Sequence, residues 1–466
     1  MKINTYEHLK SSGSAWLGDI PTHWGTKKLK FLATIQPSNV DKKTVEGEEP
    51  VILCNYTDVY KNEYIDSRLE FMQASATEAE IKKFKVDVGD VIVTKDSETP
   101  EDIAVPACIA EDVEGLVCGY HLTQIKPIDL HGRYLFRLFQ SKGFNAQFTV
   151  AANGVTRFGL PQHAIANAFT PLPPFEEQQT IARFLDFKTA QIDALIAKQQ
   201  SLLDKLAEKR MALISHAVTK GLDPSVPMKD SGSAWLGDIP AHWQRMSMAR
   251  VIYKFEQGWS PSCDEREASL DEWGVLKSGC VNYGVFQERA HKTLPPSIDP
   301  IPSLEVHAGD ILMCRASGSK HLIGSVAMVR KCRPKLIFSD KTYRITLERD
   351  TIDPEFFILL MKSKYLRDQI ELSISGADGL ANNIPQSSVK GYQLVLPPTI
   401  DEQKTISTLL NKKIEDVDAQ EAKILEVIGR LQEYRSALIT NTVTGKIDVR
   451  GFQIPDSSIA TEPSHA

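Results

Sequence analysis

Ser12-Gly13-Ser14-Ala15-Trp16-Leu17-Gly18-Asp19-Ile20-Pro21-Thr22-His23-Trp24 returns from Ser231 to Trp243 with one change, Thr22 to Ala241. A second echo follows each copy. Leu172-Pro173-Pro174 with Glu177-Gln178-Gln179-Thr180-Ile181 returns as Leu396-Pro397-Pro398 with Glu402-Gln403-Lys404-Thr405-Ile406. A phrase this long, holding two tryptophans and a proline, is not a chance match. The chain is a tandem of two like units.

Working outward, each unit has the same three parts in the same order. The expected divisions are a Trp-rich frame at 1–24, a globule at 25–170 and a long helix at 171–220. A linker and the second frame take 221–243, a second globule 244–395 and a second long helix 396–446. The tail 447–466, with Ser, Pro and Thr and few apolar residues, is expected to be disordered. The globules read as mixed α/β or α+β. They carry short β-type runs, Val91-Ile92-Val93, Ile311-Leu312-Met313 and Tyr343-Arg344-Ile345-Thr346-Leu347. Gly89-Asp90 and Gly309-Asp310 precede such runs at matching places; beyond these points the two globules look unlike.

The helical stretches keep steps of three and four. Leu185, Lys188, Ile192, Leu195, Gln199, Leu202, Leu206, Lys209 and Leu213 form one row, and Leu410, Lys413, Val417, Gln420, Ile424, Val427, Leu431, Tyr434 and Leu438 the other. Four heptads argue a coiled coil. Pro173-Pro174 and Thr399 with Glu402, at capping-box spacing, mark the starts. Each helix then spans on the order of 65 Å at 1.5 Å per residue. Matching length and register make the two helices partners in either direction, and the antiparallel pairing is favoured because it relates the units by a pseudo-two-fold axis. Packing of each helix on its own globule is the alternative.

Length allows several compact bodies, and 42% hydrophobic with 24% charged residues is ordinary for a globular protein. No apolar run approaches a membrane span and no secretory segment opens the chain, so the cytoplasm is the expected location. Seven cysteines without CxxC spacing predict buried reduced thiols rather than disulfides or zinc. No phosphate-binding loop or dinucleotide fingerprint is present. Leu172-Pro173-Pro174-Phe175 resembles the Asn/Asp-Pro-Pro-Tyr/Phe motif of amino-methyltransferases, but leucine cannot hydrogen-bond a target amine. Asp416 with Glu421-Ala422-Lys423 mimics a nuclease pattern inside the helical stretch, where no cleft exists. No catalytic or metal-ligating set is expected.

Binding is the better expectation. Polar and basic residues cluster on Gly-containing loops at equivalent places. These are Thr94-Lys95-Asp96-Ser97 and Asn153 to Gln162 in the first unit, and Arg315 to Lys320 and Gly376 to Gln386 in the second. Arg, Lys, Asn and Gln present donors that match guanine and adenine edges, while Ser and Thr suit phosphates. The candidate DNA contacts are therefore Lys95, Thr156, Arg157, Gln162, Arg315, Ser317, Lys320, Arg333, Lys341, Asn382, Asn383 and Gln386. The ordinary alternative for each is a solvated turn. Residues 25–170 hold 16 Lys+Arg against 20 Asp+Glu, and residues 244–396 hold 20 against 18, so the second globule is the better electrostatic candidate. Trp16, Trp24, Trp235 and Trp243 are either partner-interface anchors or clips between globule and helix.

The Trp-Leu-Gly-Asp-Ile-Pro-x-His-Trp phrase, a variable globule, Leu-Pro-Pro…Glu-Gln-x-x-Ile and a long helix, all repeated, resemble the specificity subunit of type I restriction–modification systems. The resemblance implies two target recognition domains that read an asymmetric, bipartite site in double-stranded DNA. It implies an antiparallel coiled coil that fixes the gap, and a subunit that is itself non-catalytic. Partners would be methyltransferase (modification) subunits, two in number, and restriction motor-nuclease subunits. S-adenosylmethionine, ATP and Mg2+ would belong to those partners. A coiled-coil scaffold without sequence-selective DNA recognition is the alternative.

Overall fold

The computed structural model describes residues 4–233, 236–375 and 382–454. Two compact bodies emerge, and neither is a continuous stretch of one repeat. The first takes the chain up to Gln199 and again from Leu425; the second is Gln200–Ile424. The long helices Phe175–Lys220 and Ile400–Val443 therefore each contribute to both. In each body the early half of one meets the late half of the other, as an antiparallel pair requires. Asp193 meets Arg435 in the first body, and Arg210 meets Asp418 in the second.

The core of the first body is a five-stranded sheet in the order Ala33–Pro37, Leu122–Pro127, Val91–Thr94, Pro106–Ile109, Tyr64–Ile65. The second repeats four of these places with Ile252–Gln257, Thr342–Leu347, Ile311–Cys314 and Val326–Met328. A three-stranded sheet accompanies each. The globules thus share a topology that their sequences hide, because buried β-branched and aliphatic residues interchange freely at fixed volume. Gly89 and Gly309 take positive φ, +91° and +97°, in the turns ahead of the equivalent central strands. Five of the seven cysteines are buried and all are free; burial pushes the thiols of Cys108 and Cys280 up to about 12.

One row of each expected helical seam holds and the other moves by one residue. Leu185, Ile192, Leu206, Leu410, Val417, Ile424 and Leu438 are buried, and Leu213 and Leu431 half-buried. Leu195, Leu202 and Val427 are exposed, which corrects their assignment. Their places go to Ile196, Leu203 and Ile428, with Arg210, Ile414, Glu421 and Arg435 continuing the same rows. A step of four and a step of three both return to the same helix face, and here the i+4 neighbour points inward. Arg210 donates to Glu421 at 2.9 Å and Arg435 to Asp193 at 2.8 Å, so charged members of the true row are paired. Among the described residues no helix is long and apolar enough to cross a membrane.

Candidate nucleic-acid interface

The repeated phrases build a clip. The indole Nε1 of Trp24 donates to Glu177 Oε1 at 3.1 Å, and His23 Nε2 lies 2.8 Å from Oε2. In the second body Trp243 donates to Glu402 Oε1 at 2.8 Å, with His242 at 3.0 Å. Both indoles are fully buried, so Trp24 and Trp243 hold frame to helix and are not partner-interface anchors. Trp16 stays exposed; Trp235 lies outside the described residues. Glu402 is engaged by Trp243, so only half of the expected capping box forms, Thr399 Oγ1 accepting from the Glu402 N–H at 3.3 Å. The next residue anchors the globule. Gln178 accepts from the His131 N–H and Gln403 from the Asp353 N–H, both at 2.8 Å.

The ends of the long helices close each frame from the other side. Lys446 donates to the Asp19 carbonyl, and Lys220 to the Asp238 carbonyl. Gly445 (φ +70°) lies so near that a Cβ would stand 2.2 Å from Pro21 Cδ.

On this base each globule raises a two-stranded ribbon, and the ribbons join the loops that the sequence singled out. Asp96–Ser97 pairs antiparallel with Phe158–Gly159 in the first body. Ala316–Ser317 pairs antiparallel with Asn382–Asn383 in the second. Thr156 and Arg157 stand exposed on the loop entering the first ribbon. Arg157 donates to Asp96 Oδ1 at 2.6 Å, and His121 Nδ1 lies 2.5 Å from Oδ2. That contact with Asp96 raises the Arg157 pKa further. Lys95 is turned inward, donating to the Ser38 carbonyl at 2.9 Å over the Tyr120 ring at 4.3 Å; burial lowers its pKa. Gln162 is exposed and donates to the Ile35 carbonyl at 2.8 Å.

In the second body Arg315 donates to the Tyr343 hydroxyl at 3.0 Å, and Lys341 to Asp340 at 3.1 Å. Ser317 accepts from the Ser319 N–H at 3.2 Å. Lys320 begins a 3-10 turn just beyond the ribbon, and Gln386 begins the short helix after it. Asn383 is half-buried; Asn382 is almost fully buried with its Oδ1 unpartnered. Residues 376–381 of the predicted loop lie outside the described residues. Arg333 is a correction. It is buried and donates to the carbonyls of Pro334, Ala268, Ser269 and Glu272, so it ties loops together inside the globule.

Sequence reading missed His121, Tyr120 and Tyr343, which orient the ribbon cations. They lie in strands or turns distant in sequence, and no local spacing announces them. What the arrangement offers is a pair of equivalent ribbons with different donors and acceptors, each buried or half-buried and flanked by exposed loop residues such as Arg157 and Ser319.

A family model described as the type I restriction modification DNA specificity domain matches residues 21–204. The chain is 34% identical over 209 residues to the type I restriction enzyme EcoEI specificity subunit of Escherichia coli, covering 45% of this chain and 35% of that one. It is 22% identical over 445 residues to the putative type I restriction enzyme MjaX specificity subunit of Methanocaldococcus jannaschii, covering 93% and 96%. The match thus spans about a third of the EcoEI relative's length and nearly all of the MjaX relative's. A solved chain from work on complex assembly and conformational transition of the type I R-M system has a TM-score of 0.67 at 14% identity, covering 92% of this chain and 99% of that one. At that identity the likeness speaks for the fold. The resemblance carried by the repeated phrases is borne out.

Proposed function

We propose that this chain, with a type I restriction modification DNA specificity domain matched at residues 21–204, is the DNA specificity subunit of a type I restriction–modification complex. Its two ribbons read the two halves of a bipartite, asymmetric site. One observation carries the reading: the clip and the ribbon recur in both bodies, while the ribbon residues differ. Asp96, Ser97, Phe158 and Gly159 in one face Ala316, Ser317, Asn382 and Asn383 in the other. Equivalent bases with unlike readers suit two unlike half-sites presented by a duplex. Catalysis belongs to partners, methyltransferase and motor-nuclease subunits carrying S-adenosylmethionine, ATP and Mg2+, in the cytoplasm. The test is to map methylated adenines in the DNA of a host that produces this chain, with and without the chain deleted. A split motif that vanishes when the chain is deleted is expected. Methylation unaffected by deletion would leave the scaffold reading in its place.

A further inference from the structure

Four stretches of the chain, 20–40, 130–175, 239–255 and 379–400, contain no Asp or Glu, although the protein carries 60 acidic residues against 54 Lys+Arg. The fold brings these stretches together in pairs, and in the same way twice. In the first body strand Gly25–Lys28 pairs with Phe169–Leu172, and the 3-10 turn Leu29–Phe31 packs on the short helix Gln162–Ala166. In the second, Gln244–Ser247 pairs with Gln393–Leu396, and Met248–Arg250 packs on Gln386–Gly391. Each short helix begins three residues after its ribbon ends, so surface and ribbon are continuous.

The cations on this surface are not neutralised. Lys27 and Lys30 are exposed; Lys28 is half-buried, with Nζ 3.4 Å from the Asn167 amide oxygen. Arg250 and Lys390 are exposed in the second body, Lys390 standing 6.0 Å over the Phe255 ring. Among the described residues none of the five meets a carboxylate. The ribbon cations differ. Arg157 is bound to Asp96, Lys341 to Asp340, and Arg315 to Tyr343 and the Asp340 carbonyl. Phosphate contact displaces counterions and needs cations that are free to be approached rather than held in an ion pair.

We infer that Lys27, Lys28 and Lys30 in the first body, with Arg250 and Lys390 in the second, form strips that grip the phosphodiester backbone of duplex DNA while the adjoining ribbons read base edges. The inference rests on the DNA-reading function proposed above. It divides the labour between residues: the strips supply affinity without sequence preference, and the ribbons supply preference.

The experiment measures binding of the full chain, with its methyltransferase subunits, to two labelled duplexes across a KCl series. One duplex carries the methylated site and the other is random. Lys27→Ala, Lys28→Ala and Lys30→Ala together lower the slope of log K against log[KCl] by about two to three, at roughly 0.9 per lost contact. Both duplexes weaken alike and their affinity ratio is kept. The control, Lys42→Ala with Lys82→Ala and Lys83→Ala, removes equal charge from exposed sites elsewhere in the first body and leaves the slope as it was. An unchanged slope in the strip variant overturns the inference and leaves the proposed function standing. So does an unchanged slope with loss of methyltransferase co-purification, which assigns the strip to an acidic protein surface. A collapsed affinity ratio overturns the separation of grip from reading. Wild-type complex that binds neither duplex removes the function and the strip together.

Discussion

Trp243 donates its indole N–H to Glu402 at 2.8 Å across 159 residues of chain. Trp24 and Glu177 make the same bond in the first body, at 3.1 Å, and there the carboxylate also takes the Tyr6 hydroxyl at 2.5 Å. One acidic side chain therefore fastens a frame to the first turn of a long helix. Burial and the Glu177 contact push the Tyr6 phenol well above its usual range, so Tyr6 remains a donor.

Removing that acceptor strands buried donors. Glu177→Ala leaves two of them, the Trp24 indole and the Tyr6 hydroxyl, at about 1–3 kcal/mol each. A loss of roughly 2–6 kcal/mol is expected. Glu402→Ala strands one indole at a more open site and should cost about 1–2 kcal/mol. Urea denaturation followed by tryptophan fluorescence measures both, and equal losses would contradict the difference in burial.

The inward row of the helix pair is testable by neighbours. Ile428 is buried and Val427 is 43% exposed. Ile428→Ala is expected to destabilise by about 2–3 kcal/mol, and Val427→Ala by less than about 1 kcal/mol. Thermal unfolding of the two variants decides which row faces the partner helix.

Much of this was legible because duplication exposes what must be kept. Trp24, Glu177 and their copies reappear in sequence because the clip admits no substitute for an indole N–H facing a carboxylate. The seam was half legible: Ile192 and Ile196 both suit an inward position, as Leu195 does, and only the partner helix selects between them. Ribbons two residues long carry no periodicity, so Asp96 with Gly159 and Ala316 with Asn383 could be suspected as loops but not paired. The burial of Arg333 was hidden for another reason. Its partners are four main-chain carbonyls, and these have no residue signature.

Acidification should loosen the first body. Glu63 is held below the usual carboxylate range; burial opposes its charge, but Arg137 and Arg435 outweigh burial. A carboxyl with a lowered folded-state pKa contributes stability that is complete above its unfolded value, near 4.3, and is lost as pH falls toward the folded value. The melting temperature of the wild type should fall more steeply between about pH 5 and pH 3 than that of Glu63→Gln. Parallel curves would mean that the pair of arginines does not favour the ionised form.

Both bodies share the two long helices, so under the proposed function a change of helix length bears on both halves of the site. Deleting one heptad from each helix is expected to change the permitted gap between half-sites and leave the half-site sequences intact. Sequencing of methylated sites checks this, and an unaltered gap removes any measuring role from the helices.

The bond from Lys446 to the Asp19 carbonyl joins positions 427 residues apart. Synthesis must therefore reach Lys446 before the first frame can close, whereas the frame at Asp238 has its Lys220 already in hand. A message cut short anywhere before Lys446 yields a protein whose first body lacks this latch. Incomplete synthesis is thereby prevented from producing a latched first body.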